Sequence, residues 1–408
     1  MRIGKGTYFM AWLYLCKNMY FGVNILLMKK CVALSGALLF FLFSCMHEKP
    51  ATNEEYAKFC VYIDSCMRTG NVALLADAFD VDGLATTVLD TTDVGAFDRA
   101  DFKKGFAREI SDLWTTVRDD IKNGSTYKFM RLIKRGNETV GLFRLFGEDG
   151  VNYHEYHFTT ANGKIQIADM YIYVSGELLS QTLKTVILSS LSETNSSLFG
   201  TQQFDAGKGA FLTEMVKMKS LAAEGKTEEA LAIYKNMDQK IKDIKVVHIL
   251  YIMICARVEG GDSLYEGAVD RYRALFPNDP ALPLFLVDKY LTRKEYDKAI
   301  ASINELDKMV QDPYLDYLRG NLMFYKEKMD SSAYYYTKLN KVAPGEVYNS
   351  YSTLFYLYLR DKDYKQAAAI EKNMMKYFKK TGKEIEEEAS SLLIEGLDDY
   401  RASEYYGS

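Results

Sequence analysis

A small residue recurs at a nearly constant interval through the second half of this chain. The alanines that mark the interval are separated by 38, 31, 34 and 34 residues, and they are Ala230, Ala268, Ala299, Ala333 and Ala367. Each follows a short polar turn and begins a segment of helical periodicity, with a large residue about four positions later. A small side chain lets two helices approach closely, so the spacing predicts about five helical hairpins over residues 210–380.

The residues around these alanines resemble the tetratricopeptide repeat (TPR), whose period is about 34 residues. Gly225–Tyr234 is similar to the turn and second helix of such a repeat, and the interval from Gly320 to Pro344 matches that between the repeat's glycine and its closing proline. The resemblance implies an all-α solenoid whose concave face binds a protein or peptide, with residues 381–408 as a capping helix and tail. It implies no catalytic residues.

The fourth and fifth predicted repeats are rich in tyrosine. Because tyrosine offers apolar area with a polar tip, some of these side chains are candidates for an interaction surface. The alternative for most of them is packing between repeats, which the helical spacing also favours. The candidate surface consists of Tyr314, Tyr317, Tyr348 and Tyr351.

Residues 53–191 predict an α+β domain, and the polar residues 192–209 predict a linker to the repeats. Thr52-Asn53-Glu54-Glu55 is a capping box that opens a helix, and further helices are predicted near 72–79 and at 101–122. The hydrophobic period then changes to two, which predicts a four-stranded antiparallel meander at 127–134, 139–146, 151–160 and 164–174. This order loosely resembles the nuclear-transport-factor-2-like and cystatin-like cone folds.

The turns between these strands predict which residues share a face. Pairing 135 with 138, 146 with 151 and 161 with 164 places Arg131, Arg144, Glu155 and His157 together among apolar residues. We therefore expect this face to pack on the helices, with Arg144 and Glu155 as diagonal neighbours. One interpretation is a structural Arg–Glu pair with a hydrogen-bonded histidine; the other is a ligand or catalytic pocket with Glu155 or His157 as the base.

The opposite face of the predicted sheet is strongly aromatic. It holds Phe143, Tyr156 and Phe158 together with Tyr171 and Tyr173. Because so much aromatic surface is unusual on a solvated face, we expect the solenoid or a partner to cover it.

Near the amino terminus, Met28-Lys29-Lys30 precedes an apolar run and the segment Leu42-Phe43-Ser44-Cys45. The run is too short to cross a bilayer as a helix. The segment Leu42–Cys45, together with the run before it, resembles the signal peptide and lipobox of bacterial lipoproteins. The resemblance implies a start at Met28, a signal peptide over 28–44, an acylated Cys45 and a tether over 46–52. An uncleaved anchor with Cys45 as an ordinary thiol is the alternative. Because Met46 is not aspartate, the resemblance favours the outer membrane of a Gram-negative envelope, facing either the periplasm or the surface.

Charge and motifs narrow the function classes further. Beyond residue 45 the chain has 46 basic and 55 acidic residues without a basic cluster, so nucleic acid is a poor partner. The sequence contains no P-loop, nucleophile elbow, HExxH motif or EF-hand loop. His154 and His157 would lie on opposite faces of a strand, so they cannot bind one metal ion together. We therefore expect no metal, cofactor or catalytic motif.

Three function hypotheses follow. The first is a lipid-anchored scaffold or assembly protein that acts through its repeats. The second is an envelope lipoprotein that binds glycan or peptide on its tyrosines. The third is an enzyme or small-ligand binder that uses the Glu155 face.

Overall fold

The computed structural model describes residues 51–89, 99–122, 124–147, 150–161, 163–184, 206–391, 394 and 396–407. Cys45 and most of the predicted linker lie outside these residues. The chain divides into two compact units, 1–282 and 283–408. This division falls later than the predicted 192–209 boundary, because helices that follow the linker belong to the same unit as the sheet.

Four helices precede an antiparallel sheet in the first unit. The predicted capping box is confirmed: Thr52 Oγ1 accepts from the Glu55 backbone N–H at 3.3 Å, and the Glu55 carboxylate accepts from the Thr52 N–H at 2.7 Å. The sheet has five strands in sequential order rather than the predicted four, since a short strand follows the meander. These elements are α1 (Asn53–Thr69), α2 (Val72–Ala76), α3 (Val81–Leu89), α4 (Arg99–Lys122), β1 (Thr126–Arg135), β2 (Glu138–Gly147), β3 (Gly150–Ala161), β4 (Lys164–Ile172) and β5 (Glu177–Leu178).

The three predicted hairpin registers are confirmed. Arg135 pairs with Glu138, Phe146 with Val151, and Ala161 with Lys164. Two irregularities then alter the alternation of faces: β1 shifts register between Phe129 and Arg131, and β4 carries one extra residue between Ile167 and Asp169. Since an extra residue inverts every side chain beyond it, Phe129, Met170 and Ile172 move to the Phe143 face, while Tyr171 and Tyr173 join Glu155.

The prediction that the Glu155 face packs on the amino-terminal helices is therefore wrong. Those helices cover the aromatic face instead, where Trp114 of α4 stacks on Tyr156 with ring centroids 6.4 Å apart. Helix α1 approaches the same face at Gly141, where a Cβ atom would lie 2.6 Å from the Cys60 sulfur. The aromatic face is therefore covered, but by the amino-terminal helices, and the prediction that the solenoid or a partner covers it is wrong.

Helices make up the described part of the chain from residue 206 onward. They are α5 (Ala206–Ala223), α6 (Thr227–Asn236), α7 (Gln239–Lys242), α8 (Lys245–Cys255), α9 (Asp262–Leu275), α10 (Leu282–Thr292), α11 (Tyr296–Val310), α12 (Leu315–Tyr325), α13 (Met329–Val342), α14 (Tyr348–Arg360), α15 (Tyr364–Phe378), α16 (Gly382–Ser391) and α17 (Leu397–Arg401).

One turn conformation recurs between these helices. Gly225, Lys294, Glu327 and Lys362 all have left-handed backbone angles, with φ between 58° and 78°. In each turn the next residue donates its N–H five residues back, as from Lys328 to the Met323 carbonyl at 2.9 Å. This is the Schellman ending of a helix, which satisfies carbonyls that the helix leaves unpaired.

The small residue lies five positions after each left-handed residue. Ala230, Ala299 and Ala367 are fully buried at these places. In the turn that begins at Glu327, the same place falls on Ser332, which is fully buried and donates to the Gly320 carbonyl at 2.9 Å. The prediction of Ala333 as the buried small residue is therefore wrong by one position, because Ala333 is only half-buried and Ser332 occupies the buried place.

Replacing Glu327 by glycine is expected to raise the free energy of unfolding by about 0.5–1 kcal/mol. A side chain at positive φ crowds its own backbone, and glycine removes this cost. Urea denaturation followed by circular dichroism measures the change. The control is Ala301→Gly at an exposed position inside α11, which should destabilise by about 1 kcal/mol. Destabilisation by both variants would contradict the strained turn.

The carboxyl-terminal helix α17 packs on the last hairpin. Tyr400 is fully buried and donates its hydroxyl to Glu371 Oε2 at 2.5 Å. Gly396 has a φ of 85°, and a Cβ atom there would lie 2.4 Å from the Leu359 carbonyl oxygen. Burial raises the pKa of the Glu371 carboxyl above its ordinary value of 4.5. The described part of residues 381–408, which were predicted as a capping helix and tail, forms α16 and α17.

Glu371→Gln is expected to alter how stability depends on pH. A carboxyl whose pKa is raised on folding binds its proton more tightly in the folded chain, so its stabilising contribution is complete below about pH 4.5 and is lost as pH rises through the folded pKa. The variant should therefore gain stability relative to wild type between pH 4.5 and 7. Urea denaturation at several pH values measures this difference; a constant difference would contradict it.

Candidate functional site

Glu155 of β3 is the centre of a buried polar network on the sheet. Its carboxylate accepts hydrogen bonds from Arg135, from Nε to Oε2 at 2.9 Å and to Oε1 at 3.2 Å, and from Nη2 to Oε1 at 2.5 Å. It also accepts the Tyr173 hydroxyl. The Glu155 side chain is 4% exposed and that of Arg135 is 31% exposed. The hydrogen bonds to Glu155 raise the pKa of Arg135, and burial raises that of Tyr173. Arg135 and Glu155 are therefore joined by charge-assisted hydrogen bonds, and Tyr173 is a further donor to the carboxylate.

Glu155 is therefore paired with an arginine, as one of the two interpretations expected, but with a different arginine. Sequence analysis considered Arg131 and Arg144 and missed Arg135, which ends β1 at the hairpin. Arg144 is buried opposite Tyr153, and Arg131 is half-buried opposite Leu142. The irregularity in β4 explains the arrangement, because it turns Tyr173 toward Glu155.

His157 lies near the rim of the same face. Its Nδ1 is 3.0 Å from Glu138 Oε2, and the His157 side chain is about one quarter exposed. The residue opposite it, Asp169, accepts from the backbone N–H and the hydroxyl of Ser180 at 3.1 and 2.5 Å. Asp169 therefore accepts hydrogen bonds at the amino-terminal end of the helical residues 179–184, as a capping carboxylate does.

A second polar chain lies in the core between the sheet and α4. His154 Nδ1 is 3.0 Å from the Tyr127 hydroxyl, which lies 2.7 Å from that of Tyr156, and His154 Nε2 is 3.2 Å from the Asn152 amide. Burial lowers the pKa of His154 to about 3, so the imidazole is neutral near pH 7. These bonds satisfy polar groups that the aromatic core buries.

The Glu155 face also meets helices of the same unit. Tyr171 donates its hydroxyl to Asp279 Oδ1 at 3.1 Å, and Asp279 forms an ion pair with Lys245 at the start of α8. Gly176 lies against Ile249 and Tyr272, because a Cβ atom there would be 2.6 Å from Ile249. These contacts explain why the helices up to residue 282 belong to the unit of the sheet.

The tyrosines of the predicted interaction surface are mostly core residues. Tyr314, Tyr317 and Tyr351 are at most 5% exposed, so they cannot offer a surface to a ligand. Tyr348 is half-buried; it donates to Glu388 at 2.5 Å, and Lys380 lies 4.6 Å from its ring centre. Three of the four residues are therefore packed in the core, which was the alternative that the helical spacing favoured.

An open cleft of about 480 Å³ lies in the second unit, formed by the end of α11, the following turn, α12 and α13. Arg319 organises its floor: it donates to Asn304 from Nε at 3.0 Å, to Asp307 from Nη2 at 2.7 Å and to Asp316 from Nη1 at 2.8 Å. Burial works to lower the pKa of Arg319, but these carboxylates outweigh it and raise the pKa. The floor is thus rigidly hydrogen-bonded.

The rim of the cleft combines charge with exposed apolar surface. Lys338 of α13 lies 2.8 Å from Asp316 Oδ2, and its side chain is half exposed. Val342, one turn along the same helix, lines the cleft and is 61% exposed; Tyr334, one turn before Lys338, is 62% exposed. The positions i, i+4 and i+8 place these three residues along one helix face.

Sequence reasoning missed this cleft. The spacing of Asp316 and Arg319 at i, i+3 indicates a pair on one helix, but Asn304 and Asp307 come from the preceding helix. Their convergence depends on how two helices pack, which no local pattern encodes.

Two further observations concern the described residues alone. In that part of the chain, no cluster of three or more His, Cys, Asp or Glu side chains is arranged to hold a metal ion. No helix there combines the length and the apolar character needed to cross a membrane.

Comparison with protein-family models, with curated proteins and with solved structures finds no match.

Proposed function

We propose that this chain is a lipid-anchored protein of the bacterial cell envelope that binds a partner protein through tetratricopeptide-like helical hairpins. The recurring left-handed turn, with a buried small residue five positions later, supports the repeat interpretation. The order of elements in the first unit is compatible with the cone-shaped folds that the sequence resembles. The lipobox resemblance at Cys45 supports the anchor, with the outer membrane as its destination.

The observation that carries the binding proposal is the cleft of the second unit. Its floor is held in place by Arg319, so a partner would meet a preorganised surface. Val342 on its rim and Tyr334, two turns earlier on α13, expose apolar area beside a polar floor, which is the composition of a protein interface. The buried tyrosines favour this protein-binding hypothesis over capture of glycan on an aromatic surface.

We assign the Arg135–Glu155–Tyr173 network a structural role. All three groups bind one another, and the carboxylate is buried. A catalytic base needs access to its substrate's proton, so this geometry gives no support to Glu155 as the base of an enzyme.

The test is crosslinking and affinity capture from native membranes with a tag after Ser408. Wild type is expected to capture a stoichiometric partner, and Tyr334→Asp/Val342→Asp is expected to reduce its recovery at least about tenfold, since both changes place charge at the interface. The matched control is Met375→Asp on α15, where the side chain is 43% exposed and away from the cleft lining. Equal recovery from all three proteins would overturn the cleft as the binding site.

The anchor is tested separately with Cys45→Ala. We expect this variant to appear in the soluble fraction while its purified form still binds the isolated partner. Retention of Cys45→Ala in the membrane fraction after an alkaline wash would contradict the lipid anchor and leave the binding result intact.

A further inference from the structure

Exposed apolar side chains of the sheet-containing region are concentrated at its beginning. Among the described side chains of residues 51–184, the large hydrophobic ones that are exposed are Val61 (55%), Tyr62 (40%) and Leu74 (38%). All three belong to α1 and α2. Isolated exposed apolar residues are ordinary, but their confinement to the helices nearest the tether suggests a shared cause.

The outer face of α1 combines apolar and charged side chains. Val61 and Tyr62 share the exposed side of the helix with Lys58 and Arg68, and with Glu54 and Glu55 of its first turn. The opposite face is buried through Ile63 and its neighbours. Tyrosine is favoured at the membrane–water interface, and the stems of lysine and arginine cover apolar surface while their charges remain in water.

Both basic residues of this face have acidic partners. Asp64 is turned toward the sheet, where its Oδ2 accepts from the Phe129 N–H at 3.1 Å, and its Oδ1 lies 3.8 Å from Arg68 Nε. Glu54 lies one turn before Lys58 and pairs with it at 2.7 Å. Because these charges are paired, the contact with lipid depends on the apolar area of Val61 and Tyr62 rather than on attraction to an anionic surface.

The tether is short enough to bring this face to the bilayer. Seven residues, 46–52, separate Cys45 from α1, and a fully extended chain of that length spans about 25 Å. Val61 lies about 12 Å along the helix from Asn53. Contact between α1 and the membrane would thus be intramolecular once Cys45 is anchored, with an effective concentration in the millimolar range.

We propose that the outer face of α1, centred on Val61 and Tyr62, lies on the bilayer that holds Cys45. The proposal rests on the lipid anchor of the proposed function. It makes α1 the element that orients the protein at the membrane. The occupant of this apolar face is the lipid surface, because the tether delivers it there.

The experiment supplies the tether chemically, so that its outcome does not depend on acylation in the cell. A chain that begins at Cys45 is coupled through this thiol to a maleimide-bearing phosphatidylethanolamine in phosphatidylcholine vesicles. Cys60, Cys66 and Cys255 are buried and will react slowly. The acyl chains of the phosphatidylcholine are either ordinary or dibrominated, and bromine quenches only tryptophan that enters the bilayer.

Tryptophan reports the position of each face. Beyond residue 45 the sequence contains one tryptophan, Trp114, which is fully buried and provides the background signal. Tyr62→Trp places a second one on α1, and Tyr334→Trp places it at a more exposed position on α13. Vesicle flotation confirms that each protein is coupled.

We expect brominated vesicles to lower the added emission of Tyr62→Trp by about twofold, as for a side chain at the acyl boundary, and to leave Tyr334→Trp and wild type unchanged. Adding Val61→Asp to Tyr62→Trp should restore the emission.

Absence of quenching at Tyr62→Trp in coupled protein, or equal quenching of both tryptophan variants, would overturn the proposal. A protein that covers α1 in place of lipid would produce the first of these outcomes. Failure of partner capture, in contrast, would affect only the scaffold function.

Discussion

Arg135→Leu is expected to lower the free energy of unfolding of the first unit by about 3 kcal/mol. The substitution leaves the carboxylate of Glu155 buried without the guanidinium that binds it through Nε and Nη2. Removing one partner of a buried pair is more costly than losing the attraction itself, because the remaining charge has given up its hydration. The partial exposure of Arg135 places the effect at the lower end of the range for buried pairs.

Urea denaturation measures this loss, and the emission of Trp114, which packs on the opposite face of the same sheet, is a suitable probe. The matched control is Arg135→Leu/Glu155→Leu, which removes both charges and should recover most of the lost stability. Lys134→Leu, at an exposed neighbouring position of β1, should change stability by less than about 0.5 kcal/mol. A loss below 1 kcal/mol in Arg135→Leu would show that Glu155 is not held mainly by this arginine.

Gly320→Ala is expected to destabilise the second unit by about 2 kcal/mol, although alanine is the better helix former. A Cβ atom at residue 320 would lie 2.5 Å from Cε1 of Tyr336. That ring is buried, and its hydroxyl donates to Asn321 Oδ1 at 2.7 Å, so it has little freedom to move. Overpacking of this kind costs about 1–3 kcal/mol, which exceeds the gain in helix propensity of about 1 kcal/mol.

Gly267→Ala is the matched control, because Gly267 lies inside α9 with no atom within 4 Å of the added Cβ. This variant should therefore be more stable than wild type by about 1 kcal/mol. Thermal unfolding by circular dichroism compares the two variants, with opposite signs expected. A stabilising Gly320→Ala would mean that Tyr336 does not pack against the helix at that glycine.

Several features of the fold were predictable from the sequence for identifiable reasons. The capping box at Thr52 depends on side chains three residues apart, and the three hairpin registers depend on turns of known length. The spacing of small residues identified the hairpins, although Ser332 took the place assigned to Ala333. Serine is small enough for the same contact, so residue type alone did not separate two adjacent positions.

The candidate sites were less predictable, because each depends on residues far apart in the chain. Glu155 was correctly identified as a paired carboxylate, yet its partner is Arg135, and Tyr173 reaches it only because β4 is irregular. The chemistry of the aromatic residues in the carboxyl-terminal helices suits a core position or a surface position equally well, and the structure buries Tyr314, Tyr317 and Tyr351.

The sequence by itself determined the change from helices to an antiparallel meander and back to helices, the pairing of the hairpins and the interval between helical turns, since these follow from interactions within a few residues. Tertiary structure alone decided which sheet face meets the amino-terminal helices, which arginine holds Glu155 and where Arg319 gathers its acceptors. The physical reason is that one extra residue in a strand inverts its faces at small local cost. Only burial against distant helices selects the outcome.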